Sequence, residues 1–170
     1  TIHIEPRETG AGNSYTCAVH DNSIPKEIYE AIEQSIQSCF SSGIRMGYPC
    51  TDIAVSVTDI KYDELTASTF AFEAAAAEAF DKACESATPE LLEPVMEVDI
   101  ECPSEFVGDA MSQITQRGGM IVSMDEKSGE NVIHAKAPMA KMFGFSTNLR
   151  SVTQGRASFG MVFSHFQVKV

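Results

Sequence analysis

A chain of 170 residues with 44% apolar and 21% charged side chains has the composition of a folded protein, one domain or two small ones, and not of a disordered tract. A net charge of −12 excludes the broad basic footprint that usually marks nucleic-acid binding, so any RNA contact must be local. No apolar run reaches the roughly 18 to 20 residues that cross a bilayer and no charged-then-apolar leader is present, which predicts no membrane partner, and the cysteine usage below predicts a reducing cytoplasm.

Thr1 stands first, as expected of a fragment or a processed product. At this length folding buries roughly 70% of the surface the unfolded chain exposes, enough for a stable core. The cysteines are Cys17, Cys39, Cys50, Cys84 and Cys102, an odd number with no C-x-x-C pair. That argues against a disulfide framework or a structural zinc site and for a reducing compartment. Cys17-Ala-Val-His20 has the spacing of half a metal site, but no second pair follows and strand alternation explains it.

In chain order, Ile2 and Ile4 alternate with polar residues, and after the turn cluster ETGAGNS so do Tyr15, Cys17 and Val19, giving strand, turn, strand. Gly10-Ala11-Gly12 opens like a phosphate loop, but Tyr15 replaces the third glycine and a strand follows. Ser23 and Pro25 predict a helix start; Ile28, Ala31, Ile32, Ile36, Cys39 and Phe40 form its apolar stripe, and Gly43 its stop. Gly47-Tyr48-Pro49 makes a turn, and Ile53, Val55 and Val57 a strand. The polar loop IKYDELTAS leads to a second helix capped by Ser68 or Thr69. Its stripe is Phe72, Ala75, Ala76, Ala79, Phe80 and Ala83, and Pro89 prevents continuation.

ATPELLEP then joins two units, and charge changes across it. Thr1 to Glu93 holds five Lys and Arg against sixteen Asp and Glu, whereas Pro94 to Val170 holds seven against eight. The second unit reads as a strand over Val95 to Cys102, with Val95, Glu97, Asp99 and Glu101 on one face and Met96, Val98 and Ile100 on the other. A helix from Ser104 carries Phe106 or Val107, Ala110, Met111 and Ile114 and closes near Gly118-Gly119. Strands over Met120 to Met124 and Val132 to Ala137 flank the turn DEKSGEN. A helical stretch from Pro138 with Met142, Phe145, Leu149 and Val152 ends at Gly155, before a last strand over Ser158 to Val168. This β-α-β-β-α-β order is the split ferredoxin-like arrangement.

Chemistry is sparse. There is no Gly-Lys pair for a P-loop and no G-x-S-x-G elbow. His3, His20, His134 and His165 fall on presumed strands as sheet-face residues, and no acid/base pair is worth naming. A base-stacking sheet of the RNA-recognition kind would need aromatics on its central strands, and GMIVSMD and NVIHAKA have none. Phe159 and Phe163 on one face of the last strand and Phe166 on the other read as core.

MFGFSTNLRSVTQGRASF, Met142 to Phe159, closely resembles the C-terminal domain of elongation factor G, the translocation GTPase of the ribosome. The likeness extends through Gly47-Tyr48-Pro49, the alanine-rich helix at Ala71 to Phe80, LLEPVM at Leu91 to Met96 and EFVGDAMSQITQRGGMI from Glu105. It covers nearly the whole chain. The resemblance implies an α+β protein of two domains, matching domains IV and V of that family. Residues 1–92 would be a ribosomal-protein-like β/α domain, N-terminally incomplete, that enters the decoding region. Residues 93–170 would be the ferredoxin-like domain facing the large subunit.

By the same resemblance the partners are the ribosome, at its decoding region, sarcin–ricin loop and factor-binding centre, and the tRNA–mRNA pair. GTP and Mg belong to a GTPase domain upstream, and no cofactor to this segment. Contacts are expected from Lys61, Tyr62, Asp63 and Glu64 at the decoding-side tip and from Arg150, Ser151, Gln154 and Arg156 at the rRNA face. The arginines suit bidentate phosphate pairing, and Ser151 and Gln154 suit sugar or phosphate oxygens. One departure stands out: the family's tip carries a His-Asp pair before an Asp-Ser-Ser helix start, where this chain has Asp63-Glu64 and Thr66-Ala67-Ser68. A second, glycine-rich tip loop would precede Thr1. A carboxylate in place of histidine repels phosphate, which admits a paralogue acting in ribosome recycling or protection. A stand-alone acidic protein-interaction module is the reading from another class.

Overall fold

Alternation in the first third of the chain becomes three strands, but not in the order it suggests. The computed structural model describes residues 1–44, 47–127 and 129–169. It divides into two compact units, Thr1–Pro89 and Glu90–Val170. In the first, β1 (Ile2–Pro6) and β2 (Ser14–Cys17) do not pair with each other. Strand β3 (Ile53–Val57) lies between them, antiparallel to β1 and parallel to β2. A parallel pair needs a crossover, which helix α1 (Lys26–Ser42) supplies.

The expected cap at Ser23 is not used. Its N–H and hydroxyl both donate to the Asp21 carboxylate, at 2.9 and 2.7 Å, and Pro25 precedes the first turn alone. Gly43 does close α1: its N–H donates to the Cys39 carbonyl, and a Cβ there would lie 1.7 Å from the Tyr48 oxygen. Helix α2 (Thr69–Ser86) is capped by Ser68, whose hydroxyl accepts from the Ala71 N–H at 3.2 Å. Its buried line is Ala76, Phe80 and Cys84, one residue every turn, while Ala75 faces solvent. Phe80 meets Phe40 of α1 edge-on, centroids 6.1 Å apart, above Val55 and Val57. Burial pushes the Cys84 thiol up to about 12 and raises Cys39 and Cys50 as well, leaving poor nucleophiles in a packing role.

The second unit centres on β4 (Leu92–Pro103), which starts three residues earlier than the sequence suggests. The sheet order is β5 (Met120–Lys127), β6 (Glu130–Pro138), β4, β7 (Ser158–Val168), all antiparallel. The hairpin's Ser128 lies outside the described residues. A 3₁₀ turn at Ser104–Phe106 leads into α3 (Val107–Gln116). The stretch after Pro138 is not one helix: a 3₁₀ turn at Met139–Lys141 precedes Gly144, at φ 73°, and only then α4 (Phe145–Val152). The core joins Val98, Ile100 and Cys102 to Ile133, Ala135 and Ala137 under Phe106, Ala110, Ile114, Met142, Phe145 and Leu149.

Two aromatics depart from the expected core. Phe163 and Phe166 are 54% and 41% exposed. A register shift pairs Val95 with His165 but Met96 with Phe163, so β7 holds one extra residue there. That bulge reverses the alternation and brings the two rings to 5.1 Å. Phe159 does pack, edge-on to Phe145 at 4.9 Å.

The Gly10-Ala11-Gly12 turn cradles an anion after all, and the anion is the protein's own. Asp52 accepts the N–H groups of Gly10 and Gly12 at 3.0 and 2.7 Å, while Arg7 donates to the carbonyls of Ala11 and Gly12. The bonds from Gly10 and then Gly12 hold the Asp52 carboxyl below its ordinary value of 3.8. Its contribution to stability is therefore complete above that value and disappears as pH falls through the lower folded one. Asp52→Asn should flatten this acid limb, checked by thermal unfolding of both chains between about pH 5 and pH 2; an unchanged limb would refute the assignment.

Candidate nucleic-acid interface

The expected tip residues sit on the loop between β3 and α2. Lys61 and Glu64 are exposed. Lys61 also borders a cavity of about 260 Å³ walled by Ile2, Ile32, Val57, Phe72 and Ala76. Tyr62 is half-buried and lies over Phe72, centroids 6.4 Å apart at 29°. Asp63 shapes the loop: its carboxylate accepts from Leu65 N–H at 3.0 Å and its carbonyl from Thr66 and Ala67. Leu65 is thereby left 96% exposed. The carboxylate that stands where the family's histidine is expected is thus a turn former as well as a charge.

The other expected residues follow α4. The helix stops by a bond from Gly155 N–H to the Arg150 carbonyl, 2.8 Å, with Gln154 at φ 54° and Gly155 at φ 78°. Thr153, fully buried, donates to the Leu149 carbonyl at 2.7 Å and fixes the corner. Arg150, Ser151 and Gln154 are all exposed, and Arg150 makes no ion pair among the described residues. Arg156 differs. Its guanidinium pairs with Glu105 and lies 5.4 Å over the Phe106 ring, tying the corner back to the start of α3.

Sequence reasoning missed a second cationic group at the other end of α4. Arg117 donates to the carbonyls of Lys141 and Phe143, at 2.8 and 3.1 Å, with its guanidinium 5.6 Å over the Phe145 ring. Phe143 beside it is 80% exposed. For Lys141 a signal was present, since no Asp or Glu occurs from Asn131 to Val170, a stretch that carries Lys136, Lys141, Arg150, Arg156 and Lys169; Arg117 lies outside it. Net charge hid it. On the sheet face away from the helices His134 sits between Asp99 and Asp125, at 2.6 and 3.3 Å, and the Asp99 hydrogen bond raises its pKa. No group of three or more His, Cys, Asp or Glu is placed to hold a metal among the described residues, and none of the described helices is long and apolar enough to cross a membrane.

Two α+β units in series, the second a ferredoxin-like four-stranded antiparallel sheet with two helices, define a two-domain α+β protein. Residues 1–88 match the family model for elongation factor G domain IV, and residues 90–169 that for the elongation factor G C-terminus. The chain belongs to the elongation factor G family. It is 59% identical, over 99% of its length, to elongation factor G 1 of Treponema denticola. It is 48% identical over 98% to elongation factor G 2 of Treponema pallidum. It spans about a quarter of each, 26%. A crystal structure from Thermus thermophilus superposes with a TM-score of 0.88 at 30% identity, covering 99% of this chain and 25% of the other.

The two helices of the second unit end alike but with different residues. At the end of α3, Gly119 N–H bonds the Ile114 carbonyl and Gly118 takes the left-handed position at φ 70°. In α4 Gln154 takes that position, where a side chain costs about 1–2 kcal/mol. Less the entropy glycine loses on folding, Gln154→Gly should stabilise the chain by about 0.5–1 kcal/mol in chemical denaturation. A neutral or destabilising result would show that the Gln154 side chain compensates its own backbone.

Proposed function

We propose that this chain is the ribosome-binding C-terminal portion of an elongation factor G-type GTPase that promotes tRNA–mRNA translocation in the cytoplasm. Its role is placement; GTP and Mg act in the rest of the full-length factor, which hydrolyses the nucleotide. Thr1–Pro89 occupies the decoding region through Lys61, Tyr62, Asp63 and Glu64, its acidity imitating a tRNA arm. Glu90–Val170 meets large-subunit rRNA at the sarcin–ricin loop and factor-binding centre through Arg150, Ser151 and Gln154.

The observation that carries this reading is Arg150. It is an exposed cation without an internal partner among the described residues, beside a corner whose backbone is held in left-handed conformations. Arg156 contributes mainly by holding that corner to Glu105 and Phe106. A second reading, a paralogue acting in recycling or ribosome protection, is favoured by one observation, the Asp63-Glu64 pair at the tip.

In the full-length factor Arg150→Ala should weaken ribosome association and lower its salt slope by about one phosphate contact. Arg156→Ala should instead cost about 0.5–1 kcal/mol of folding stability with a smaller change in slope. Equal slopes for wild type and Arg150→Ala would remove the contact. At the tip, Asp63→Asn keeps an acceptor for Leu65 and removes the charge, whereas Asp63→Ala removes both. If the charge tunes the factor away from translocation, Asn should raise the translocation rate at unchanged stability, whereas Ala should also lose about 0.5–1.5 kcal/mol of stability. A rate unmoved by Asn removes the case for the paralogue.

A further inference from the structure

Phe143 is 80% exposed, yet nothing about its backbone is loose. Met142 before it and Phe145 after it are buried at 6% and 0%. Met142 N–H bonds the Met139 carbonyl and Phe145 N–H the Met142 carbonyl, each at 3.0 Å. Arg117 reaches across from the end of α3 to hold the carbonyls of Lys141 and Phe143. Left-handed Gly144 then turns the chain into α4. The ring is thus presented outward by a loop fixed at both ends, an arrangement with no value for packing.

The charges around it identify the partner. Arg117 and Lys141 make no ion pair among the described residues. Neither sequence segment at this end, 110–124 or 131–157, contains a carboxylate. An exposed ring on a loop that carries Lys141 and is gripped by the Arg117 guanidinium suits a polyanion that also offers flat apolar faces, which describes single-stranded nucleic acid. We propose that Phe143 is a stacking platform for an unpaired RNA base, and that Arg117 is the positioning residue that holds it ready. This surface precedes α4, whereas the corner at Gln154 and Gly155 follows it, roughly 12 Å along a helix of eight residues. It is a second RNA contact, and it rests on the reading that the factor binds the ribosome.

The test uses the full-length factor and purified ribosomes. Phe143→Leu should weaken binding roughly 5- to 150-fold, the range for one base stacked on an aromatic ring, while Phe143→Trp should bind as wild type or tighter. Both should unfold at the wild-type temperature, because the ring is exposed. Arg117→Lys keeps the charge but not the two-carbonyl grip, so it should weaken binding in the wild-type background and add little in Phe143→Leu. A benzoylphenylalanine at position 143 should crosslink to RNA. Full affinity in Phe143→Leu, or a crosslink to a ribosomal protein or to another part of the factor, overturns the proposal while leaving the ribosome-binding reading intact. A wild-type factor that does not bind ribosomes sinks both.

Discussion

Burial of one ring, Phe145, holds together what the second unit presents to solvent. It is the first residue of α4 and fully buried. It meets Phe159 of β7 edge-on at 4.9 Å and lies under the Arg117 guanidinium that closes α3. Sheet, α3 and α4 therefore share a single contact. Removing such a ring costs about 3–5 kcal/mol, a large part of the stability of a domain this size. The exposed loop before α4 and the strained corner after it are both set by where that ring sits. Phe80 has the matching position in the first unit, fully buried on α2 and edge-on to Phe40.

Electrostatics explain how so acidic a chain can offer cationic surfaces. Several carboxylates act inward: Asp52 on the Gly10 and Gly12 amides, Asp63 on its own loop, Glu105 on Arg156. In the acid-free stretch from Asn131 onward Arg150 and Lys141 are exposed and make no ion pair among the described residues, while half-buried Arg117 is held by the carbonyls of Lys141 and Phe143. At physiological salt, charges more than about 8 Å apart are largely screened, so local arrangement matters more than the total of −12.

Element types were legible because apolar periodicity reports burial directly. The βαββαβ order of the second unit follows from it, and the family from contiguous stretches such as Met142 to Phe159. Pairing and register were not legible. Nothing in Ile2 to Cys17 says that β3 inserts between β1 and β2, because the partners lie far along the chain; Asp52, 42 and 40 positions from Gly10 and Gly12, anchors the loop joining them. The bulge in β7 was invisible for a similar reason, as one extra residue changes the side a ring faces without changing composition. Among the candidate site residues, Arg150 was readable as a cation in a familiar stretch. Arg117 and Phe143 were not, because their meaning lies in a contact across two dozen positions.

Backbone strain is met differently at the ends of the two helices of the second unit. Gly118 and Gln154 hold equivalent places at the ends of α3 and α4, both left-handed, in the same kind of helix stop. Folding alone would favour glycine at both. At α3 glycine is present, and its neighbour Gly119 has no room for a side chain, since a Cβ would lie 2.6 Å from Ile114. At α4 the space around Gly155 is open, so crowding does not dictate the choice beside it. The left-handed backbone of exposed Gln154 is therefore not imposed by crowding at its neighbour. The same logic applies at Asp52, whose left-handed backbone is compensated by the two glycine amides it binds. There the strain is answered within the chain. At Gln154 it is carried by the helix stop itself, through the Gly155 N–H bond to the Arg150 carbonyl.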